Sequence, residues 1–296
     1  MDLNWLMDFI ALAETENFSR AAEKRHVTQP AFSRRIRNME EWLGTALFMR
    51  GRHKVELTRA GKEIYSEVEA VLRAVFRMRR MAQEFSDQSS ATLHFAATYS
   101  LSLVFFPDWI KQYTSKIGHY SINLTSDSMS VCEATLIQGG VQFLICHDSI
   151  SAPSRFGITG FDSRIIGKDT LIPYCAPDET GAPLWPLSKT PKDKISWLKY
   201  NKDSGFCRMM QGHQKIASIM EASEPHFTSS IATVLLAIVR DGKGIAWLPE
   251  SLATPSEQNG TLVRAGDDSW CIPMDIKVFR TEENHSEGAN LLWNFL

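Results

Sequence analysis

Apolar positions in the first ninety residues recur at helical spacing and are interrupted by capping residues. Leu3, Leu6, Phe9, Ile10 and Ala13 lie three and four apart, which predicts a short amphipathic helix. Asn17-Phe18-Ser19 supplies cap chemistry for a second helix through Lys24, whose Ala21-Ala22 pair lets a neighbour approach closely. His26-Val27 makes a tight connection to a third helix, with Thr28 placed as its N-cap. The Thr28 hydroxyl is expected to accept from an orphan amide, and Pro30 falls in the first turn, where amides lack intrahelical partners. Phe32, Ile36 and Met39 or Leu43 form the buried stripe, and Gly44 ends the helix. Gln29, Ser33, Arg34 and Arg37 fall away from that stripe.

Two short strands, Leu47 to Arg50 and Lys54 to Leu57, are predicted next, with the basic turn Gly51-Arg52-His53 between them. Thr58 is a further N-cap candidate. From it, Ile64, Val68, Val71, Val75, Met78, Ala82 and Phe85 follow a spacing of 4, 3, 4, 3, 4, 3. That heptad stripe predicts one long helix of about 40 Å. So narrow a seam suits pairing with the same helix of a second subunit, with packing on the chain's own later domain as the alternative. Ser86 to Ser90 then reads as a polar hinge.

The pattern changes beyond residue 91. Thr92 to Thr98, Tyr120 to Thr125 and Val141 to His147 read as strands. A helix containing Phe105, Phe106, Trp109 and Ile110 separates the first two, and a helix ending at Leu136 separates the last two. Strand, helix, strand, helix, strand predicts an α/β unit with parallel pairing. A second unit is expected to start near Asp169. It has a strand over Ile195 to Lys199, a helix opened by Asp203-Ser204-Gly205-Phe206, a strand near Phe227, a helix from Ser230 to Arg240 and a strand over Ile245 to Pro249. A strand from Ile272 to Phe279 and a last helix return to the first unit.

Charge sharpens this picture at one place. Net charge is −2, yet Arg20, Lys24, Arg25, Arg34, Arg35, Arg37, Arg50, Arg52 and Lys54 face only Glu23, Glu40 and Glu41 within the same stretch. A basic patch on a near-neutral chain is the footprint of a polyanion site, although a charge run can also be a solvated helix face. Two short helices, a tight turn and a second helix opening with amide, hydroxyl and guanidinium groups fit a helix-turn-helix followed by a wing. Gln pairs well with adenine and Arg with guanine, while Arg50 and Arg52 could reach a phosphate or the minor groove. The DNA-facing set is therefore Thr28, Gln29, Pro30, Ser33, Arg34, Arg37, Arg50 and Arg52.

The residues Phe9, Phe18-Ser19, Ala21-Ala22, Thr28 to Arg34, Ile36, Met39-Glu40, Leu43-Gly44, Leu47-Phe48, Arg50, Leu57-Thr58 and Ala60-Gly61 resemble the N-terminal pattern of LysR-type transcriptional regulators, nearly without gaps. The resemblance implies an α+β winged helix-turn-helix, a long linker helix and a two-lobed α/β effector domain like periplasmic binding proteins. By the same similarity, Gln29, Pro30, Ser33 and Arg34 meet DNA from the recognition helix and Arg50 from the wing. A homotetramer is also implied, whereas only dimerisation through Ile64, Val68, Val71, Val75, Met78 and Phe85 is legible in the chain itself. Arg25 stands where the family usually has a buried leucine, so it is expected either to extend its charge to solvent or to touch DNA. The expected domains are residues 1–58, the linker helix 59–86, a hinge at 87–91 and the effector domain 92–296. Lobe one of that domain takes about 92–164 and 268–296, and lobe two about 165–267.

Ligands of open α/β sheets bind beyond the carboxyl ends of strands, against helix N-termini. The loops so placed supply Thr98, Tyr99, Ser100, Leu101, Ser102, Ser126, Ser128, Met129, His147, Lys202, Ser204, Phe206 and Ser229 as an effector-binding set for a small polar or anionic metabolite. The bland reading is that each serine caps its own helix and that His147 is a satisfied sheet-edge histidine. Leu101 to Pro107, Ser126 to Met129 and Phe143 to His147 also resemble the hypochlorite-responsive subgroup, where methionine oxidation is the signal. Cys207, Met209 and Met210 are the redox candidates here, with core filling as the alternative.

Other classes are disfavoured. The five cysteines are scattered without a CxxC pair, and no metal site or cofactor is expected. No GxSxG, P-loop or HExxH run occurs, so turnover is not expected. No apolar run approaches the ~20 residues of a membrane span. The acidic amphipathic start lacks a secretory pattern, which places the chain in the cytoplasm. That start also argues against a periplasmic binding or transport protein with an odd N-terminal module. The expected partners are double-stranded DNA, a small-molecule effector and further copies of the chain.

Overall fold

The computed structural model describes residues 2–50, 55–86, 92–150, 160–188, 195–282 and 286–296. The Gly51-Arg52-His53 turn and the hinge at 87–91 lie outside the described residues. The chain forms two compact units, and all elements named before residue 87 belong to the first.

The N-terminal unit holds α1 (Leu3–Thr15), α2 (Phe18–Lys24), α3 (Gln29–Leu43), β1 (Phe48–Arg50), β2 (Val55–Leu57) and α4 (Arg59–Ser86). Caps set most of these limits. Asn17 accepts from the amides of Ser19 and Arg20, and the Thr58 hydroxyl accepts from the Gly61 amide at 3.0 Å. Gly44 closes α3 in the left-handed region at φ 72°, a conformation without steric cost for glycine. Thr28 occupies the N-cap position of α3, but its side chain makes no capping bond, contrary to the expectation for its hydroxyl. Leu6, Phe9 and Leu12 of α1 meet Ala21, Ala22, Phe32, Ile36 and Met39 in one core, which is closed by Leu47 and by Phe48 of β1.

Helix α4 departs from the single-seam expectation. Val68 and Leu72 are buried in the unit's own core, with Ile64, Tyr65 and Phe76 partly buried against it. Val71 and Met78 instead stand 40% and 66% exposed, and Val75 is half-buried. The first turns thus serve two surfaces, because a straight helix drifts off a seven-residue repeat and α1 captures one side. The Phe85 side chain lies outside what is described.

The C-terminal unit runs β3 (Thr92–Thr98), α5 (Tyr99–Val104), α6 (Phe106–Lys111), α7 (Thr114–Ile117), β4 (Ser121–Asp127), α8 (Met129–Ile137), β5 (Phe143–Asp148) and β6 (Phe161–Cys175). It continues with β7 (Leu198–Tyr200), α9 (Gly205–Gly212), α10 (Gln214–Ala222), β8 (Phe227–Ser229), α11 (Ala232–Arg240) and β9 (Ala246–Pro249). Finally come α12 (Glu250–Gln258), β10 (Val263–Arg264), β11 (Ile272–Thr281) and α13 (Glu287–Phe295). The single helix expected around Trp109 is broken at Phe105, where Pro107 starts a new one. Ser126 and Asp127 end strand β4 instead of lying in a loop.

Two lobes share one sheet path. In the first, β3 pairs in parallel with β4 and β5, and β5 pairs antiparallel with β11. In the second, β6 pairs with β9 and β10, while Trp197 bridges Ile245 to bring β7 and β8 alongside. Strands β6 and β11 traverse both lobes, paired from Phe161 with Thr281 to Leu171 with Ile272 and shifted once at Ile276/Lys277. Ile276 and Val278 join the first core, beside Phe95, Phe143 and Trp293, whereas Ile272 and Met274 join the second, beside Tyr174, Trp197 and Trp247. His147 therefore sits on an interior strand between β11 and β3, not at a sheet edge.

Candidate functional site

Helix α3 presents its polar face to solvent. Gln29, Pro30, Arg34 and Arg37 are exposed and Ser33 is half-buried, while Phe32, Ile36 and Met39 turn inward. The basic patch is smaller than the sequence suggests. Lys24 pairs with Glu14 at 2.6 Å, and Glu40 turns inward to accept from the Leu47 and Phe48 amides. Asp8 of α1 is completely buried. Its Oδ1 accepts from Arg25 Nε at 2.7 Å, and Arg35 Nη1 approaches Oδ2 at 3.4 Å. Arg25 thus neither reaches outward nor needs DNA, because a buried carboxylate replaces the apolar contact of a leucine. Arg34 and Arg37 make no ion pair among the described residues and remain available to an external anion. Thr28 is exposed beside Gln29; Arg50 ends β1, and Arg52 lies outside the described residues.

A small cavity of about 30 Å³ opens in the C-terminal unit, between its lobes. The first lobe contributes Thr98, Tyr99 and Ser100 at the β3–α5 junction, Asp127, Ser128 and Met129 at the β4–α8 junction, and His147 of β5. The second contributes Ser204, Gly205, Phe206 and Met209 from the start of α9, and Ser230 and Ala232 from the start of α11. No side chain caps the helices begun by Thr98, Ser204 and Ile231. Their first amides are the natural donors to an oxygen placed in the cavity.

The sequence-predicted set divides on this geometry. Thr98, Tyr99, Ser100, Ser128, Met129, His147, Ser204 and Phe206 are brought together at the cavity. Leu101 is in the first core instead, because the turn of α5 points it inward. Ser102 and Ser126 share a 2.6 Å hydrogen bond away from the cavity, Lys202 is exposed, and Ser229 accepts from the Ile231 amide as a local cap. Sequence reasoning missed Asp127, Gly205, Ser230 and Ala232 as individual liners, although all but Ala232 fall within loops it marked. Of the redox candidates, Met209 reaches the cavity and Met129 joins it; Met210 and Cys207 are buried in the second core. Burial raises the Cys207 thiol above its ordinary value, against the opposing charges of Lys199 and Lys202, which keeps it a poor nucleophile.

Polar contacts hold the walls. Glu133 of α8 and Arg208 of α9 pair at 2.9 Å across the two lobes, and the Ser130 amide donates to the Asp203 carbonyl at 3.3 Å. Tyr99 Oη donates to Asp127 Oδ1 at 3.2 Å; burial first, and then Asp127, raises the phenol above its ordinary value. His147 Nε2 lies 2.9 Å from Asp169 Oδ2, with both side chains almost wholly buried. Asp169 also accepts from the Thr170 amide and from the amide and hydroxyl of Ser251. Burial alone would raise its carboxyl, but the bonds from His147 and Ser251 outweigh that and hold it below the usual range.

The bacterial regulatory helix-turn-helix model of the lysR family matches residues 3–62, and the LysR substrate binding domain matches residues 86–296. The chain belongs to the LysR family. It is 30% identical over 302 aligned residues to the HTH-type transcriptional regulator YjiE of Escherichia coli K12, covering 100% of this chain and 94% of that protein. Full-length HypT from Salmonella typhimurium, a hypochlorite-specific LysR-type transcriptional regulator, is similar at 28% identity with a TM-score of 0.60. That match covers 100% of this chain and 96% of HypT. Vibrio fischeri DarR in complex with DNA is similar at 26% identity and a TM-score of 0.57, over 100% of this chain and 98% of that one. This LysR-type regulator therefore joins a DNA-binding helix-turn-helix to a two-lobed effector-binding domain, and its relatives are transcriptional regulators.

Proposed function

We propose that this regulator reads its operator with the exposed start of α3 and responds to a small polar or anionic effector in the cavity between the lobes. One observation carries the first half: Gln29 and Arg34 stand on the solvent face of a helix whose opposite face is locked in the core. Gln29, Ser33 and Arg34 choose bases, and Arg37 and the wing residues Arg50 and Arg52 hold phosphates. The stripe of exposed Val71 and Met78 with half-buried Val75 on α4 is the surface for a second copy, and lobe movement alters the spacing of paired wings. A homotetramer is the assembly proposed. The regulator acts without turnover in the cytoplasm, where its operator is.

Fluorescence anisotropy on the intergenic DNA upstream of the gene tests this reading. The double variant Gln29→Ala/Arg34→Ala is expected to lose at least about 2 kcal/mol, or roughly thirtyfold, of operator affinity. Affinity should fall steeply with added salt. Unchanged binding by the variant would rule out α3 as the reading head. An oxidant-sensing mode is favoured by one observation, the two thioethers of Met129 and Met209 in the cavity wall. Oxidation to sulfoxide would put a polar oxygen there and displace the start of α8 or α9. An oxidant response that survives Met129→Leu/Met209→Leu would exclude that mode.

A further inference from the structure

Two residues of the cavity lining, Thr98 and His147, each carry a buried polar atom, Oγ1 and Nδ1, without a hydrogen-bond partner among the described residues. His147 is the more informative, since its side chain is only 3% exposed. Asp169 already accepts from the Thr170 amide and from both the amide and hydroxyl of Ser251, the role of an ionised, acceptor-only carboxylate. The imidazole proton therefore belongs on Nε2, donated to Asp169 Oδ2 at 2.9 Å. Nδ1 is left as a bare lone pair on a ring that belongs to the cavity lining and lies 5.1 Å, centroid to centroid, from the Phe206 ring. It calls for a donor, whereas the uncapped amides at the starts of α9 and α11 call for an acceptor.

Charge narrows the choice further. The cavity lining contains Asp127 and no lysine or arginine. The other charged groups near His147 are spoken for: Asp148 pairs with Lys277 at 2.6 Å, and Glu133 pairs with Arg208 at 2.9 Å. Tyr99, from α5, donates to Asp127 and carries no charge. Asp169, from β6, is thus the charge that His147 feels most directly. A bare anion would enter against two carboxylates with no cation to meet it, and burying such a charge unpaired is costly. An acid carrying its proton has both the donor and the acceptor in one compact group.

Resting on the reading of this cavity as the effector site, we infer that its ligand is a small weak acid taken up together with its proton, which His147 Nδ1 receives. The acid O–H donates to Nδ1. As the proton passes across, the imidazolium is held between Asp169 and the new anion, whose oxygens face Nδ1–H, the Thr98 hydroxyl and the helix amides. An already ionised ligand reaches the same state by taking one proton from solvent, so binding weakens as pH rises.

Acetate and acetamide, similar in shape, separate the outcomes on the full-length protein. In equilibrium dialysis, the acetate dissociation constant should rise about tenfold per pH unit wherever the proton bound with it has to come from solvent. Acetamide, which does not ionise, should show no such slope. Calorimetry in two buffers of different ionisation heat should count one proton taken up per acetate. His147→Gln keeps an amide donor toward Asp169 and should abolish the slope. The proton count on the unaltered protein decides the matter if that variant does not fold. Acetate binding without proton uptake, or an unchanged slope in His147→Gln, would overturn the weak-acid inference and leave the effector site standing. Failure of both probes to bind would remove the inference and the effector-site reading together.

Discussion

Asp8 and Asp169 are both buried carboxylates, one in each unit, and their partners make them different devices. Asp8 meets two guanidinium groups, Arg25 of the α2 C-cap and Arg35 of α3, which stay charged at every accessible pH. It is a tie that sets α1, α2 and α3 against one another beneath the exposed polar face of α3. Asp169 meets one imidazole and three neutral donors. Its chief partner is an imidazole, a ring whose two nitrogens can each donate or accept. The same buried anion therefore ties three helices together in one unit and, in the other, orients a ring whose second nitrogen has no partner among the described residues.

Removing each carboxylate tests that contrast most strongly. Asp8→Ala leaves Arg25 and Arg35 partly buried without their acceptor, and should cost about 3 kcal/mol of stability in urea unfolding of the full chain. It should also weaken operator binding at neutral pH, since α3 loses its anchor to α1. A variant as stable as the parent would show that solvent rescues both guanidinium groups. Asp169 acts through pH. Because its carboxyl lies below the ordinary range in the fold, it adds stability above the unfolded value of about 4, and that gain is lost as pH falls through the folded value. Asp169→Asn should accordingly flatten the acid limb of stability against pH while altering the neutral plateau less than Asp8→Ala does. An unchanged acid limb would mean the His147 and Ser251 bonds do not hold the charged form. The smallest effect concerns caps. Thr58→Ala should cost about 1 kcal/mol, since its hydroxyl satisfies an amide of α4, whereas Thr28→Ala should cost close to nothing. Equal losses would indicate that Thr28 caps α3 in solution.

Local chemistry made much of the N-terminal unit legible. Asn17, Thr58 and Gly44 act within one or two turns of themselves, and Phe32, Ile36 and Met39 mark a face by spacing alone. Reading α4 went further than the pattern allowed. Its heptad stripe is real, but Val68 is claimed by the core shared with α1, a contact that spacing within one helix cannot register. In the C-terminal unit, β6 was hidden because its two halves obey different rules. Its first half alternates between faces, whereas Leu171, Ile172 and Tyr174 are buried on both sides. The cavity was legible as a set of loops and not as a set of atoms. Ser229 and Ser230 are neighbours of one kind, yet only Ser230 lines it, because Ser229 is spent on the Ile231 amide.

By itself, the sequence determined the order and type of elements at each capped or strongly periodic segment, the polar face of α3 and the family, since each depends on residues close together in the chain. Only the tertiary structure decided that Arg25 answers Asp8, that Met209 rather than Cys207 meets the cavity, and that His147, a residue of the cavity lining, sets Nε2 against Asp169. Those facts join residues far apart in the chain, and burial and hydrogen-bond pairing between distant segments exist only once the strands and helices have packed.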